Sequence, residues 1–182
     1  MGDTFQTIAD RDAGPRDGLR LAERVVEWLV AEGIVLATAK TGWALGDDPA
    51  HPPGPHWDKA VTHARWGSPE GLVVYSTRSV FYGNSGGGEP FVTCPRCAAV
   101  TGDTSFLSPA MESWYRTGKA CPACPACGEA VSLPEWNWSD DHLAFAHLGF
   151  RFWNWPRLDD AFRTRMTRLL DGHRTVYLAG KL

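Results

Sequence analysis

All five cysteines of the chain fall between Cys94 and Cys127, and two pairs have a spacing that can do chemistry: Cys94-Pro95-Arg96-Cys97 and Cys124-Pro125-Ala126-Cys127-Gly128. Two thiolates separated by two residues bind one ion from a tight turn, and a second such turn completes the tetrahedral four-sulfur shell of a structural Zn²⁺. Proline presets φ in the turn, and a glycine after the last cysteine permits the left-handed conformation that aims backbone N–H groups at the sulfurs. Cys121-Pro122-Ala123-Cys124 overlaps the second pair, so either pair could supply the second turn. Only Cys127 is followed by glycine, whereas Cys124 precedes Pro125, which has no N–H to give. The favoured ligands are therefore Cys94, Cys97, Cys124 and Cys127, around a single structural zinc, with Cys121 uncoordinated.

These residues carry a resemblance to the zinc ribbon, a two-knuckle family with a Cys-Pro-x-Cys-Gly consensus. The resemblance covers about a fifth of the chain and implies a metal and a local fold, without an activity. Ala98 departs from it, standing where glycine is usual. A disulfide set fits less well, because the cysteine count is odd and Met1–Gln6 lacks the charged and apolar regions of an export signal. That leader points to the cytoplasm. Catalytic zinc usually keeps a position open for water, which two closed knuckles do not leave.

Three other groups of residues could do chemistry. His51, His56, Asp58 and His63 lie in or beside a proline-rich stretch, without the spacing that aligns ligands on a helix. Asp140, Asp141, His142 and His147 place acids beside bases, as a hydrolase needs, yet two Asp after Ser139 equally suit a helix start. The Trp-Asn-Trp triplets at 136–138 and 153–155 gather four of the nine tryptophans. Indoles give large contact area at low entropy cost, so Trp136, Trp138, Arg151, Trp153 and Trp155 are the candidate binding residues. The opposing reading has them filling the groove between ribbon and sheet.

The elements that position these groups follow from periodicity. The first 16 residues read as a flexible lead-in, and residues 17–182 as a single α+β domain with an insertion at 91–131. Leu21, Val25, Trp28 and Leu29 recur at helical spacing from Asp17 to a stop at Gly33. Strands are expected at 34–39, at 72–75 and 79–82 as one bulged strand, and at 91–93, where a hairpin through a glycine-rich turn at 83–88 delivers the first knuckle. A short helix follows Ser108-Pro109 between the knuckles. A strand at 150–155, a helix capped by Asp159 or Asp160, and a strand at 175–179 complete a small mixed sheet with two packing helices.

The net charge of −3 over 182 residues hides an asymmetry, since residues 151–182 carry seven basic and three acidic side chains. Arg163, Arg165, Arg168 and Arg174 form the case for nucleic acid, but the cysteine segment has no basic excess to draw phosphate. No apolar run approaches the roughly 20 residues of a membrane span. The function expected from sequence is a zinc-stabilised, non-catalytic cytoplasmic binding protein that meets a protein partner through an aromatic-rich surface. The alternatives are a nucleic-acid-binding zinc-ribbon protein and a hydrolase using the Asp and His residues near 140–147.

Overall fold

The computed structural model describes residues 2–64, 69–84 and 88–182. Residues 85–87 of the expected glycine-rich turn, and 65–68 of the proline-rich stretch, lie outside the described residues. The fold is α+β, as expected. Its main sheet holds four strands in the order β2 (Leu72–Tyr75), β8 (Leu148–Trp153), β1 (Thr4–Asp10) and β9 (Thr175–Lys181). Every neighbouring pair is antiparallel. The mixed character survives only in that β8 and β9 run the same way with β1 between them.

The lead-in is corrected. Thr4–Asp10 is not a flexible segment but an inner strand, paired with β8 from Phe5↔Trp153 to Asp10↔Leu148 and with β9 from Thr4↔Lys181 to Asp10↔Thr175. Alternation sends Phe5 to one face of the sheet and Ile8 to the other, and both faces are covered.

One face packs on helix α1 (Gly18–Ala31) and helix α3 (Asp160–Arg168), whose Leu21, Val25, Leu29, Phe162 and Met166 meet Ile8, Leu72, Phe150 and Phe152 in one buried cluster. Asp159 caps α3 by accepting from the Ala161 and Phe162 N–H groups. The opposite face carries Phe5, Val73, Arg151 and Trp153, with a second, two-stranded sheet of β3 (Ser79–Tyr82) and β7 (Leu143–Ala146) nearby. Gly149 is required there, because a Cβ on it would collide with the Phe81 ring.

Residues 72–75 and 79–82 therefore form separate strands in different sheets rather than one bulged strand. The expected strand at 34–39 is corrected too. It reduces to one isolated bridge, Val35↔Pro53, with another just beyond it at Lys40↔Ala50, because its partner is the proline-rich stretch, and Pro53 has no N–H to extend a ladder.

The sheet's outer edges are clasped. Asn84 donates its backbone N–H to the Ala179 carbonyl at 3.0 Å, while its side chain exchanges two 2.8 Å hydrogen bonds with the Lys181 backbone. On β2, His51 and Leu72 exchange backbone bonds of 2.8 and 2.9 Å.

The third sheet, in the order β5 (Val100–Thr101), β4 (Val92–Thr93) and β6 (Asn137–Trp138), carries the cysteines. β4 pairs with β5 and β6 rather than with β3, so no hairpin from β3 delivers the first knuckle. β6 lies beyond the expected boundary at 131. Between the knuckles runs helix α2 (Ser108–Thr117), with Pro109 in its first turn and Gly118 in the left-handed C-cap conformation at φ 75°.

Because Ile8 is fully enclosed between β1 and the helices, Ile8→Ala is expected to cost about 2–5 kcal/mol in urea unfolding. A lead-in residue would cost nothing measurable.

Candidate metal centre

The two knuckles have matching geometry. In the first, the Cys94 N–H donates to the Ala99 carbonyl at 3.0 Å and the Ala98 N–H returns to the Cys94 carbonyl at 2.9 Å. In the second, the Cys124 N–H reaches Glu129 O at 2.9 Å and the Gly128 N–H reaches Cys124 O at 2.8 Å. Each loop buries its first cysteine and exposes its second. The loops face each other so that the sulfurs of Cys94, Cys97, Cys124 and Cys127 all lie within 4.8 Å of one another, with Cys97 and Cys124 3.9 Å apart. The Arg96 N–H donates to the Cys94 sulfur at 3.4 Å, the kind of contact that stabilises a thiolate. Cys121 is exposed and outside this group. Among the described residues this is the one cluster of His, Cys, Asp or Glu arranged to hold a metal ion.

Proton affinities differ sharply across the cluster. Backbone N–H donation from Cys127 leads in holding the Cys124 thiol down at about 7. At Cys127 the Glu129 N–H acts in the same direction but is outweighed by burial and by the neighbouring thiols of Cys97 and Cys124, which push it up to about 12. Crowded sulfurs cannot all ionise without a cation among them, so a metal would displace protons as it binds.

Behind the sulfurs, Cys94 and Cys124 join a buried cluster with Val92, Leu107, Trp114, Val131, Leu133, Trp136, Trp138 and Phe145. The Trp114 ring meets Phe145 of β7 edge-on at 5.4 Å, joining this cluster to the second sheet. Arg78 fastens it from outside, donating to the Tyr115 and Arg116 carbonyls at 3.0 and 2.9 Å, where the negative end of the α2 dipole lies.

The candidate binding residues do not form a surface. Trp136, Trp138, Trp153 and Trp155 are only 2, 8, 4 and 3% exposed, and Arg151 is equally enclosed. The first triplet backs the cysteines. In the second, Trp153 packs against Phe5, while Asn154 at φ 55° turns the chain so that Trp155 joins the helix-covered core beside Phe152. Alternation along the expected strand at 150–155 would put Trp155 on the face of Arg151 and Trp153; the turn at Asn154 takes it to the other face. The Arg151 Nε–H donates to Thr7 Oγ1 at 3.1 Å, and its guanidinium lies within 6 Å of five aromatic rings, so it serves packing.

The acid–base residues near 140–147 do not converge. His142 lies beside Trp138 and His147 beside Trp114, separated by strand β7. His51 meets the Leu36 carbonyl at 3.0 Å. Three of the four arginines considered for nucleic acid are engaged internally: Arg163 with Asp160, Arg174 with Asp12, and Arg165 over the Trp28 ring. Sequence reasoning missed Asp10 and His173, which meet at 2.8 Å. No local pattern marks the pair, since Phe5-Gln6-Thr7-Ile8 does not alternate and the two residues lie 163 positions apart. No family model, curated protein or solved structure matches the chain.

Ala98 adopts φ 59° at the position that Gly128, at φ 75°, takes in the other knuckle. A left-handed alanine costs about 1–2 kcal/mol. Ala98→Gly is expected to raise the unfolding free energy by about 1 kcal/mol and Gly128→Ala to lower it similarly, both with unchanged metal content, as read by urea titration and elemental analysis.

Proposed function

We propose that the chain is a zinc-stabilised, non-catalytic binding protein, with one structural Zn²⁺ held by Cys94, Cys97, Cys124 and Cys127. The observation that carries this reading is the mutual approach of the four sulfurs within 4.8 Å on two matched knuckles. Tetrahedral Zn–S bonds of about 2.3 Å place sulfurs about 3.8 Å apart, close to the 3.9 Å between Cys97 and Cys124. Four thiolates suit zinc by softness and geometry and leave no position open for substrate or water. The ion would neutralise the crowded sulfurs and hold together two loops that share few backbone bonds with each other.

A protein partner is met through side chains that point outward, since the Trp-Asn-Trp indoles are internal. Phe91 and Val100 on the metal-bearing sheet and Tyr115 on α2 are exposed apolar groups on the same unit as the metal. A reducing cytoplasm is the compartment that keeps such thiols available for metal. The internal pairing of three arginines favours a protein over nucleic acid as partner, because few cations remain to displace counterions.

Elemental analysis tests the metal. Wild type and Cys121→Ser should each carry about one zinc per chain and Cys127→Ser none, as follows from opening a closed shell. Chelation should lower the melting temperature while the far-ultraviolet signal of α1 and α3 persists, because both helices pack on the main sheet. Titration with single-stranded RNA and duplex DNA at physiological salt tests the partner class. Affinities no tighter than about 10⁻⁶ M are expected, and submicromolar binding abolished by replacing Arg163, Arg165 and Arg168 with Ala would overturn the protein-partner reading.

A further inference from the structure

The polar face of α3 stands opposite the start of β9 across a cleft of about 530 Å³. That is within the range of about 300–1,000 Å³ usual for small-molecule sites. Asp160, Arg163, Thr164, Thr167 and Arg168 of α3 line one wall, and His173 and Thr175 line the other.

His173 is the most constrained of these groups. Asp10 is fully buried at the end of β1, and its Oδ1 accepts from the Asp12 and Ala13 N–H groups at 2.9 Å each. Its Oδ2 lies 2.8 Å from His173 Nδ1. A carboxylate fixed from behind assigns the proton to Nδ1 and sets the ring orientation, as supporting carboxylates do for functional histidines. Nε2 is then the ring nitrogen left to the cleft, and it has no hydrogen bond among the described residues.

The remaining lining is rich in donors. Arg163 lies over the Tyr177 ring at 4.1 Å, and its buried Nε–H has no acceptor among the described residues. Arg168 makes no ion pair among the described residues. The Thr167 and Thr175 hydroxyls meet at 3.0 Å. Two acids also face the space. Asp160 is ion-paired with Arg163, and burial pushes the Asp141 carboxyl up from its ordinary value against the pull of Arg11. With Arg163 and Asp160 paired, Arg168 is the lining cation that has no ion-pair partner among the described residues, and the Arg163 guanidinium keeps N–H groups beyond the one given to Asp160.

We infer that this cleft binds a phosphate group, seated between Arg163 and Arg168 of α3 and His173 of the opposite wall. Guanidinium forks match phosphate oxygens in pairs, the Thr167–Thr175 pair has one hydroxyl hydrogen left to give, and His173 Nε2, the acceptor nitrogen of an Nδ1–H imidazole, takes the proton of a protonated phosphate oxygen. The site is separate from the cysteines and uses none of the metal-bearing sheet.

Isothermal titration of the full chain with inorganic phosphate and with adenosine monophosphate tests this. Saturable binding is expected. Tighter binding of the nucleotide assigns a phosphate monoester, and equal binding assigns free phosphate. Arg168→Ala, at an exposed position, should weaken binding at least about tenfold, as the loss of a charge-assisted hydrogen bond does. His173→Asn keeps a side-chain N–H for Asp10 and removes only Nε2, so it should weaken binding with an unchanged melting temperature. Should His173→Asn fail to fold, Arg168→Ala still decides. No binding of either probe, or binding unchanged in Arg168→Ala, would overturn the inference.

Discussion

The side chain of Gln6 makes four hydrogen bonds. From the middle of β1 it donates to the Trp155 and Pro156 carbonyls at 2.8 and 3.0 Å, and it accepts from the Leu158 N–H and the Tyr177 hydroxyl. That saturates a primary amide, with both hydrogens given and both lone pairs used. The segment it holds has just left β8 and has no ladder of its own, so these backbone groups would otherwise be buried without partners, at about 1–3 kcal/mol each. The approach of α3 follows from this bracket. Leu158 sits just ahead of the Asp159 cap, and Phe162 one turn further meets Phe152 and Trp28.

The metal-bearing unit is attached on different terms. It meets the rest through Trp114 on Phe145, through the Arg78 grip on the end of α2, and through Arg11, which donates to the Pro134 carbonyl at 2.6 Å. Buried indole N–H groups without acceptors among the described residues occur in both parts, at Trp136 and Trp138 here and at Trp153 of the main sheet, whereas the Trp155 N–H reaches the Glu70 carbonyl at 2.7 Å. The metal-bearing cluster is small and is closed on one side by its sulfur cage. Removing the cage should therefore loosen this unit first.

What could be read from the sequence was whatever is local. Cysteine spacing, the α1 periodicity, the Asp159 cap and the Gly118 stop each depend on neighbours within a few residues, and each was legible. The ligand choice of Cys127 over Cys121 rested on one glycine. What failed depended on distant partners. Thr4–Asp10 reads as polar until β8 and β9 are supplied on both sides. Residues 34–39 have the composition of a strand but meet a proline-rich segment that cannot complete a ladder. The second Trp-Asn-Trp resembles an alternating strand end, and only the positive φ of Asn154 sends its two indoles to opposite faces of the sheet. Asp10 and His173 are 163 positions apart, beyond any local pattern.

The clasp on β9 bears on how the molecule can associate. An outer strand with free N–H and C=O groups is a template on which an extended peptide, or the same strand of another copy, can add hydrogen bond by hydrogen bond. Asn84 occupies the Ala179 carbonyl and both backbone groups of Lys181, and Leu72 on the far edge is spoken for by His51. At the groups so taken the main chain offers nothing to template on, and a partner arriving there must be recognised by side chains.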